Sequence, residues 1–119
     1  MRWLFLFLLL SLPAAAKKTI SPYDFTLVNA TGYTIQEVYV SPTSYRKWDS
    51  NVLRAPLLNK KSIPIHFLPL TLATSWDIKV VWQKSQFQPL EWKGFDLATL
   101  DKIVLHCDRK TGRTWTSLD

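Results

Sequence analysis

Residues 75–95, SWDIKVVWQKSQFQPLEWKGF, decide the fold because two alternating segments stand on either side of a short polar connection. In the first segment every even-numbered residue from 76 to 82 is apolar. In the second, Leu90 and Trp92 alternate with charged residues. A period of two is typical of a half-buried β-strand. We therefore predict a β-hairpin that spans residues 75–95.

Charged residues on the outward face select the register of this hairpin. One register places Lys79 opposite Glu91 and Asp77 opposite Lys93. A slide by two residues would set Lys79 opposite Lys93, and like charges directly across two strands are destabilising. The first register is the predicted one.

The inward face follows from the same register. It sets Ile78 beside Trp92 and lays the Trp76 ring over Gly94, which has no side chain of its own to pack. We expect Trp76, Ile78, Val80 and Trp92 to be nearly buried.

Alternating segments elsewhere predict five more strands, at residues 23–29, 33–41, 62–67, 102–108 and 113–116. Turn residues separate the strands at intervals of about 8–12 residues, and no long amphipathic helix is present. Seven short strands in this arrangement favour an all-β fold, an antiparallel β-sandwich that is immunoglobulin-like in the loose sense.

Two strands carry a further signal. In the second strand the inward set shifts from Ile35 to Val38, a change of parity that a β-bulge near Gln36 would explain. In the third strand Pro64 cannot donate a backbone hydrogen bond, so this strand is predicted to lie at a sheet edge.

Residues 42–60 form the longest stretch without strand character. Ser44 is a suitable cap for a single helical turn, with Trp48, Val52 and Leu53 spaced to lie on one side of it. We predict one helical turn in this loop, which is also the most basic part of the chain.

The N-terminal residues resemble a targeting segment. Arg2 is followed by an apolar run and by Ala14, Ala15 and Ala16, which predicts a secretory signal peptide over residues 1–16 that is cleaved before Lys17. About ten apolar residues are too few to span a bilayer. We therefore expect residues 17–119 to be a single exported domain, periplasmic or secreted, with no transmembrane segment after cleavage.

Composition limits how this domain is stabilised and what it attracts. The full chain has a net charge of +6, or about +5 without Arg2 of the predicted signal peptide, and this surplus favours encounter with anionic surfaces. Cys107 is the single cysteine, so no intrachain disulfide can form and stability must come from the core. We expect Cys107 to be a buried core residue beside Ile103 and Leu105, unreactive until the protein unfolds.

Sequence motifs for catalysis are weak. Residues 44–47 fit S-x-x-K and residues 110–112 fit K-T-G, but no S-D-N stands between them, and the Ser begins a basic loop. His106 and Cys107 are neighbours on a predicted strand and face opposite ways, which disfavours a shared metal. We predict no catalytic residue, no metal and no cofactor.

The aromatic and basic loop is the candidate binding site. Its residues are Tyr45, Arg46, Lys47, Trp48 and Arg54. Rings flanked by cations can stack on and attract a ligand. Alternatively, Trp48 attaches the loop to the sandwich and the charges keep it soluble.

A further pattern is carried by residues 24–29, 31–35, 38–42, 76–81, 95–97 and 102–103, with Trp48, residues 52–53 and Trp92. This pattern extends over most of the chain from residue 24 onward and resembles that of a family of small exported bacterial proteins of unknown function. Some members carry the name argininosuccinate lyase, an activity that belongs to a large helical tetramer and that nothing in this sequence supports. The resemblance implies a periplasmic β-sandwich and supplies no catalytic residue.

This sequence departs from the family pattern at two features. Ser75 and Ala98 stand where members typically have cysteines, as fits a missing disulfide, and the loop around Trp48 is basic where the family's is acidic. If that loop carries the function, its partner has changed.

These observations predict a binding or interaction module of the bacterial envelope that is not an enzyme. A protein partner in the envelope is favoured, an acidic glycan or lipid surface is possible, and nucleic acid is disfavoured for an exported protein. The alternative function is an inhibitor or immunity protein that acts against a periplasmic enzyme. A small hydrolase ranks last.

Overall fold

The computed structural model describes residues 21–67 and 72–119. Within them lie seven strands and one 3₁₀ turn: β1 Phe25–Ala30, β2 Ile35–Pro42, β3 Ser62–Ile65, β4 Trp76–Trp82, β5 Leu90–Phe95, β6 Lys102–Cys107, β7 Thr114–Leu118 and the turn Leu97–Thr99. The predicted all-β class is confirmed. The predicted signal peptide, residues 1–16, lies outside the described residues. No helix in the described ranges has the length and hydropathy needed to cross a bilayer.

The strands form a four-stranded sheet in the order β3-β1-β6-β7 and a three-stranded sheet in the order β2-β4-β5. All neighbouring strands are antiparallel except β1 and β6, which are parallel. The predicted antiparallel β-sandwich is confirmed as mostly antiparallel, and the β1–β6 pair is the exception that the sequence did not indicate. Parallel neighbours cannot be joined by a tight hairpin, and β2 to β5 all lie between β1 and β6 in sequence.

The central hairpin has the predicted register over most of its length. Val80 pairs with Leu90, Ile78 with Trp92, and Lys79 with Glu91. Charge complementarity on the outward face therefore identified the pairing correctly.

At its open end the hairpin departs from the prediction. Trp76 pairs with Phe95, not Gly94, because the register shifts between Trp76 and Ile78. Gly94 has φ +82°, a conformation that glycine adopts without strain, and its N–H donates to Asp77 Oδ1 at 3.1 Å. The expected pairing of Asp77 with Lys93 is replaced by this irregularity.

The two local predictions for β2 and β3 are confirmed. The pairing of β2 with β4 shifts between Ile35 and Glu37, so a bulge lies at Gln36. Ile35 and Val38 are both buried as a result. β3, which carries Pro64, is an edge strand of its sheet.

Both sheets contribute to one core. Its buried apolar side chains are Phe25, Leu27, Ile65, Ile103 and Leu105 from the four-stranded sheet, and Ile35, Val38, Val40, Trp76, Ile78, Val80, Trp82 and Phe95 from the three-stranded sheet; Leu53, Leu57 and Leu97 join them. Burial of each large apolar side chain contributes about 1.5–3 kcal/mol, which is how a domain with one cysteine is stabilised. An aromatic cluster lies at one end, where the Trp76 ring is 5.3 Å from Tyr23 and 4.8 Å from Phe67.

Trp92 is less buried than predicted. It packs against the core but keeps an intermediate exposure, whereas Trp76 is 1% exposed. The reason is position, because β5 is an edge strand and no described residue adds a strand beyond it in the three-stranded sheet.

The predicted helical turn in residues 42–60 is wrong. A turn closes where Tyr45 N donates to Pro42 O at 3.0 Å, and the chain then runs back along the free edge of β2. Val52 N donates to Val38 O at 2.8 Å, and Leu57 exchanges two hydrogen bonds with Ile35. An open strand edge offered these backbone groups partners that a single helical turn cannot provide.

Candidate functional site

The loop that the sequence singled out projects from the outer face of the three-stranded sheet. We call residues 43–49 the basic loop. Thr43 N donates to Ser75 O at 2.9 Å at its start, and Asp49 N donates to Ser41 Oγ at 2.9 Å at its end. Tyr45, at 61% exposed, is among the most exposed large apolar side chains of the described chain. Both ends of the loop are thus held, and its tip faces solvent.

Trp48 differs from Tyr45, because it is half-buried against the sheet. Lys79 Nζ lies 5.4 Å from the centre of the Trp48 ring and 5.0 Å from the centre of the Tyr39 ring. These distances are typical of cation–π contacts. Trp48 therefore anchors the basic loop on β4 through Lys79, while the exposed Tyr45 ring is free to contact a partner.

Between the loop and the sheet is a polar depression of about 160 Å³. Five loop residues, Thr43 and Tyr45 to Trp48, line it together with Asp77, Glu91 and Lys93. Lys93 Nζ lies 3.5 Å from Glu91 Oε1, and both side chains are exposed. The depression thus combines three cations, two carboxylates and two aromatic rings.

The negative charge of this depression is already engaged. Asp77 is 7% exposed, and its Oδ1 accepts hydrogen bonds from Thr43 Oγ1 at 2.7 Å and from Gly94 N. Glu91 has Lys93 beside it. Arg46 and Lys47 are both exposed on the loop, so the outward charge of this surface is positive.

A phenol lies on the same face of the sheet. Tyr39 Oη donates a hydrogen bond to Glu37 Oε1 at 2.6 Å. That bond, with partial desolvation and the negative charge of Glu37, raises the pKa of Tyr39 above its ordinary value of 10.0. Tyr39 is therefore a neutral donor at physiological pH.

Arg54 is not brought together with the other predicted site residues. It lines a separate depression with Val52, Leu53 and the strand β3. Its side chain is exposed, but it does not line the depression of residues 45–48. Residues 51–57 run along the edge of β2, which places Arg54 apart from the basic loop.

A second cleft, which the sequence did not indicate, lies between the sheets at the end that carries the β4–β5 connection. It has a volume of about 290 Å³ and is lined by Tyr33, Trp82, Phe87, Cys107 and Arg109, among others. The Tyr33 ring lies 5.0 Å from Phe87 and 6.0 Å from Trp82, and the Arg109 guanidinium lies 4.7 Å from the Tyr33 ring centre. These residues come from three separate stretches of sequence, around residues 33, 82–90 and 107–114, so no local pattern could have grouped them.

Cys107 is a correction to the predicted core. It continues the inward face of Ile103 and Leu105, but it is half-buried because it lies at the end of β6, where it lines the cleft. The thiol thus faces an open aromatic cleft rather than packed side chains.

The two histidines lie far apart in the fold. His66 Nδ1 is 3.1 Å from Asp24 Oδ2, and His106 stacks on Trp115 at 5.0 Å with Nε2 2.8 Å from Ser117 Oγ. Among the residues that the structure describes, no group of three His, Cys, Asp or Glu side chains could hold a metal ion. Ser44 lies in a turn, not at the start of a helix.

Comparisons with known proteins inform the fold alone. No family model and no curated protein matches the chain. Among solved structures, the NMR structure of a protein from Eubacterium rectale is similar to it, with a TM-score of 0.55 and 15% sequence identity over 87% of this chain and 90% of that one. A likeness at this identity supports the all-β architecture and transfers no site.

Proposed function

We propose that this protein is an exported, non-catalytic binding module of the bacterial envelope, and that the basic loop contacts an acidic patch on a partner protein. The observation that carries the proposal is the exposed Tyr45 ring beside Arg46 and Lys47, on a loop held at both ends. Tyrosine and arginine are enriched at the energetic centres of protein interfaces. An acidic partner is favoured because the carboxylates of this surface are already engaged by its own donors and by Lys93.

Trp48 and Lys79 support the loop in this proposal rather than form its contact surface. A ring that packs on the sheet reduces the conformational entropy that the loop would lose on binding. Contact residues and supporting residues should then respond differently to substitution.

The experiment is a pull-down from envelope extract with the full chain as bait, followed by affinity measurements on the captured partner. The double variant Arg46→Ala, Lys47→Ala should weaken binding at least tenfold and leave the melting temperature unchanged, because exposed charges contribute little to stability. Arg54→Ala is the matched control, an exposed cation of the same region that lines a different depression, and it should bind as the unchanged chain does.

Salt and Trp48 provide two further readouts. Affinity should fall as salt rises, because exposed charges are screened over about 8–10 Å. Trp48→Ala should lower the melting temperature as well as the affinity, since the ring is part of the support. Equal binding by the double variant and by the unchanged chain would contradict the proposed site. A single dominant partner with enzymatic activity, inhibited on binding, would identify the inhibitor function instead.

A further inference from the structure

Each of the two sheets has two edges, and three of these four edges are protected against pairing with another strand. β3 carries Pro64 and follows the exposed Lys60 and Lys61. β5 carries Glu91, Lys93 and the irregularity at Gly94. β2 is covered by residues 51–57, which bond to its backbone. Proline, charge, bulges and cover are the devices by which proteins prevent edge pairing.

The fourth edge, β7, has none of these devices within its five residues, and in the part of the chain that the structure describes its charges stand only at the two flanks, Arg113 and Asp119. Its sequence is Thr-Trp-Thr-Ser-Leu, without charge, proline or glycine. Trp115 and Leu118 are 39% and 52% exposed. Among residues 21–67 and 72–119, no strand lies beyond β7 in its sheet.

The hydrogen bonds between β6 and β7 show which backbone groups face outward. Asp119 exchanges both backbone bonds with Lys102, at 3.0 and 3.2 Å, and Asp108 N donates to Arg113 O at 2.7 Å. Hydrogen-bonded pairs alternate along an antiparallel ladder, so Trp115 and Ser117 also bond to β6. The N–H and C=O groups of Thr114, Thr116 and Leu118 therefore point away from the sheet.

We propose that β7 pairs with β7 of a second copy of this chain, antiparallel and centred on Thr116, to join the two four-stranded sheets into one of eight strands. In this register the three outward-facing residues meet only one another, since Thr114 is opposite the Leu118 of the second copy and Thr116 is opposite its own counterpart. Each such pair exchanges two hydrogen bonds. A one-residue slip would set outward groups against inward ones.

Charge complementarity favours a second copy as the occupant. The same register places Arg113 opposite the Asp119 of the second copy, at both ends of the paired strands. Arg113 and Asp119 share the outer face with Trp115, because the side-chain period is two. The two Trp115 rings become diagonal neighbours near the two-fold axis, within about 7–8 Å. A strand that is self-complementary in charge and in backbone pairing fits a closed two-fold contact.

Sedimentation of the full chain should show a monomer–dimer equilibrium in the micromolar range, because five-residue strands bury less area than a standard interface. Thr116→Pro removes one outward N–H and no bond to β6, so it should yield a folded monomer. Arg113→Asp should weaken the dimer at least tenfold, and addition of Asp119→Arg should restore it, because the charge pairs return in reversed order. The charge variants keep the test valid if Thr116→Pro does not fold.

A crosslink tests the register directly. With Cys107→Ser as background, Thr116→Cys should form an intermolecular disulfide on mild oxidation, because Cα atoms of such a pair lie about 5.5 Å apart. Thr114→Cys is the matched control, a half-buried residue on the same side of β7, whose counterpart lies four residues away, about 13 Å. A dimer that survives both Thr116→Pro and Arg113→Asp, or that crosslinks at 114 and not at 116, overturns the proposal. A chain that is monomeric at all concentrations also overturns the proposal. The pairing partner of β7 would then have to be a strand of another protein.

Discussion

At the residue scale, Asp77 joins three parts of the chain. It lies on β4, accepts a hydrogen bond from Thr43 at the start of the basic loop, and accepts another from Gly94 in β5. The alternation along β4 predicts that the Asp77 side chain faces outward, and it does. Its burial was not predictable, because the loop that covers it comes from more than thirty positions earlier in the sequence.

Asp77→Ala should lower the free energy of unfolding by about 1–3 kcal/mol, since two donors lose a charged acceptor. Asp77→Asn keeps one carbonyl oxygen as an acceptor and should lose less. Urea unfolding of the three proteins measures both effects. Equal losses in the two variants would mean that the negative charge, and not the hydrogen bonds, stabilises this site.

The phenol of Tyr39 is expected to ionise at a higher pH than an ordinary tyrosine. Because its hydrogen bond to Glu37 raises the pKa above 10.0, the neutral phenol is favoured in the folded state. Its contribution to stability is therefore present below pH 10 and is lost as pH rises through the folded pKa. Phenolate absorbance, taken as the difference between the chain and its Tyr39→Phe variant, measures this pKa. Glu37→Gln should move it back toward the ordinary value, and no change would contradict the assigned cause.

At the scale of the element, the central hairpin shows which strand pairings a local sequence pattern can predict. Lys79 and Glu91 identified the correct pairing of β4 with β5. The pattern predicts Gly94 as the residue over which the Trp76 ring packs, yet Gly94 takes a positive φ. A glycine at a strand end can pair regularly with Trp76 or can take a positive φ at a register shift. The burial of Phe95 in the core decides for the register shift.

Gly94→Ala isolates the conformational part of this irregularity. An added Cβ would meet nothing within 4 Å, so the whole loss should come from a left-handed backbone and amount to about 1–2 kcal/mol. Gly94→Asn should lose less, because Asn tolerates that conformation. Thermal unfolding distinguishes them. An unchanged melting temperature for Gly94→Ala would mean that β5 realigns to the uninterrupted register.

At the scale of the whole molecule, the three-stranded sheet places Trp76 in the core and Trp92 at its margin. Trp76→Ala should cost about 3–5 kcal/mol, as expected for a fully buried aromatic ring. Trp92→Ala should cost less, about 2–3 kcal/mol, because its ring is only partly buried. Denaturant unfolding of both variants gives the order directly. A larger loss at Trp92 would contradict the assignment of β5 as the margin of the core.

The cleft between the sheets changes the expectation for Cys107. The thiol should react with small reagents in the native protein, more slowly than in the unfolded chain, because it is half-buried in an open cleft. Mass spectrometry of the labelled chain follows the reaction, and Cys107→Ser provides the blank. Labelling that begins only with unfolding would restore the view of Cys107 as a core residue.

The sequence by itself determined the features that depend on near neighbours along the chain. Alternation predicted the seven strands, the parity change from Ile35 to Val38 predicted the bulge, and Pro64 predicted an edge. These signals are local because a strand has a period of two and because proline lacks a donor wherever it stands.

Tertiary structure alone decided which distant segments meet. It made β1 and β6 parallel neighbours, turned residues 51–57 into a cover for β2, and separated Arg54 from Arg46 and Lys47. The physical reason is that backbone groups on an open strand edge bond to whichever segment the packed core brings beside them. That choice depends on the burial of both sheets at once, which no single stretch of sequence encodes.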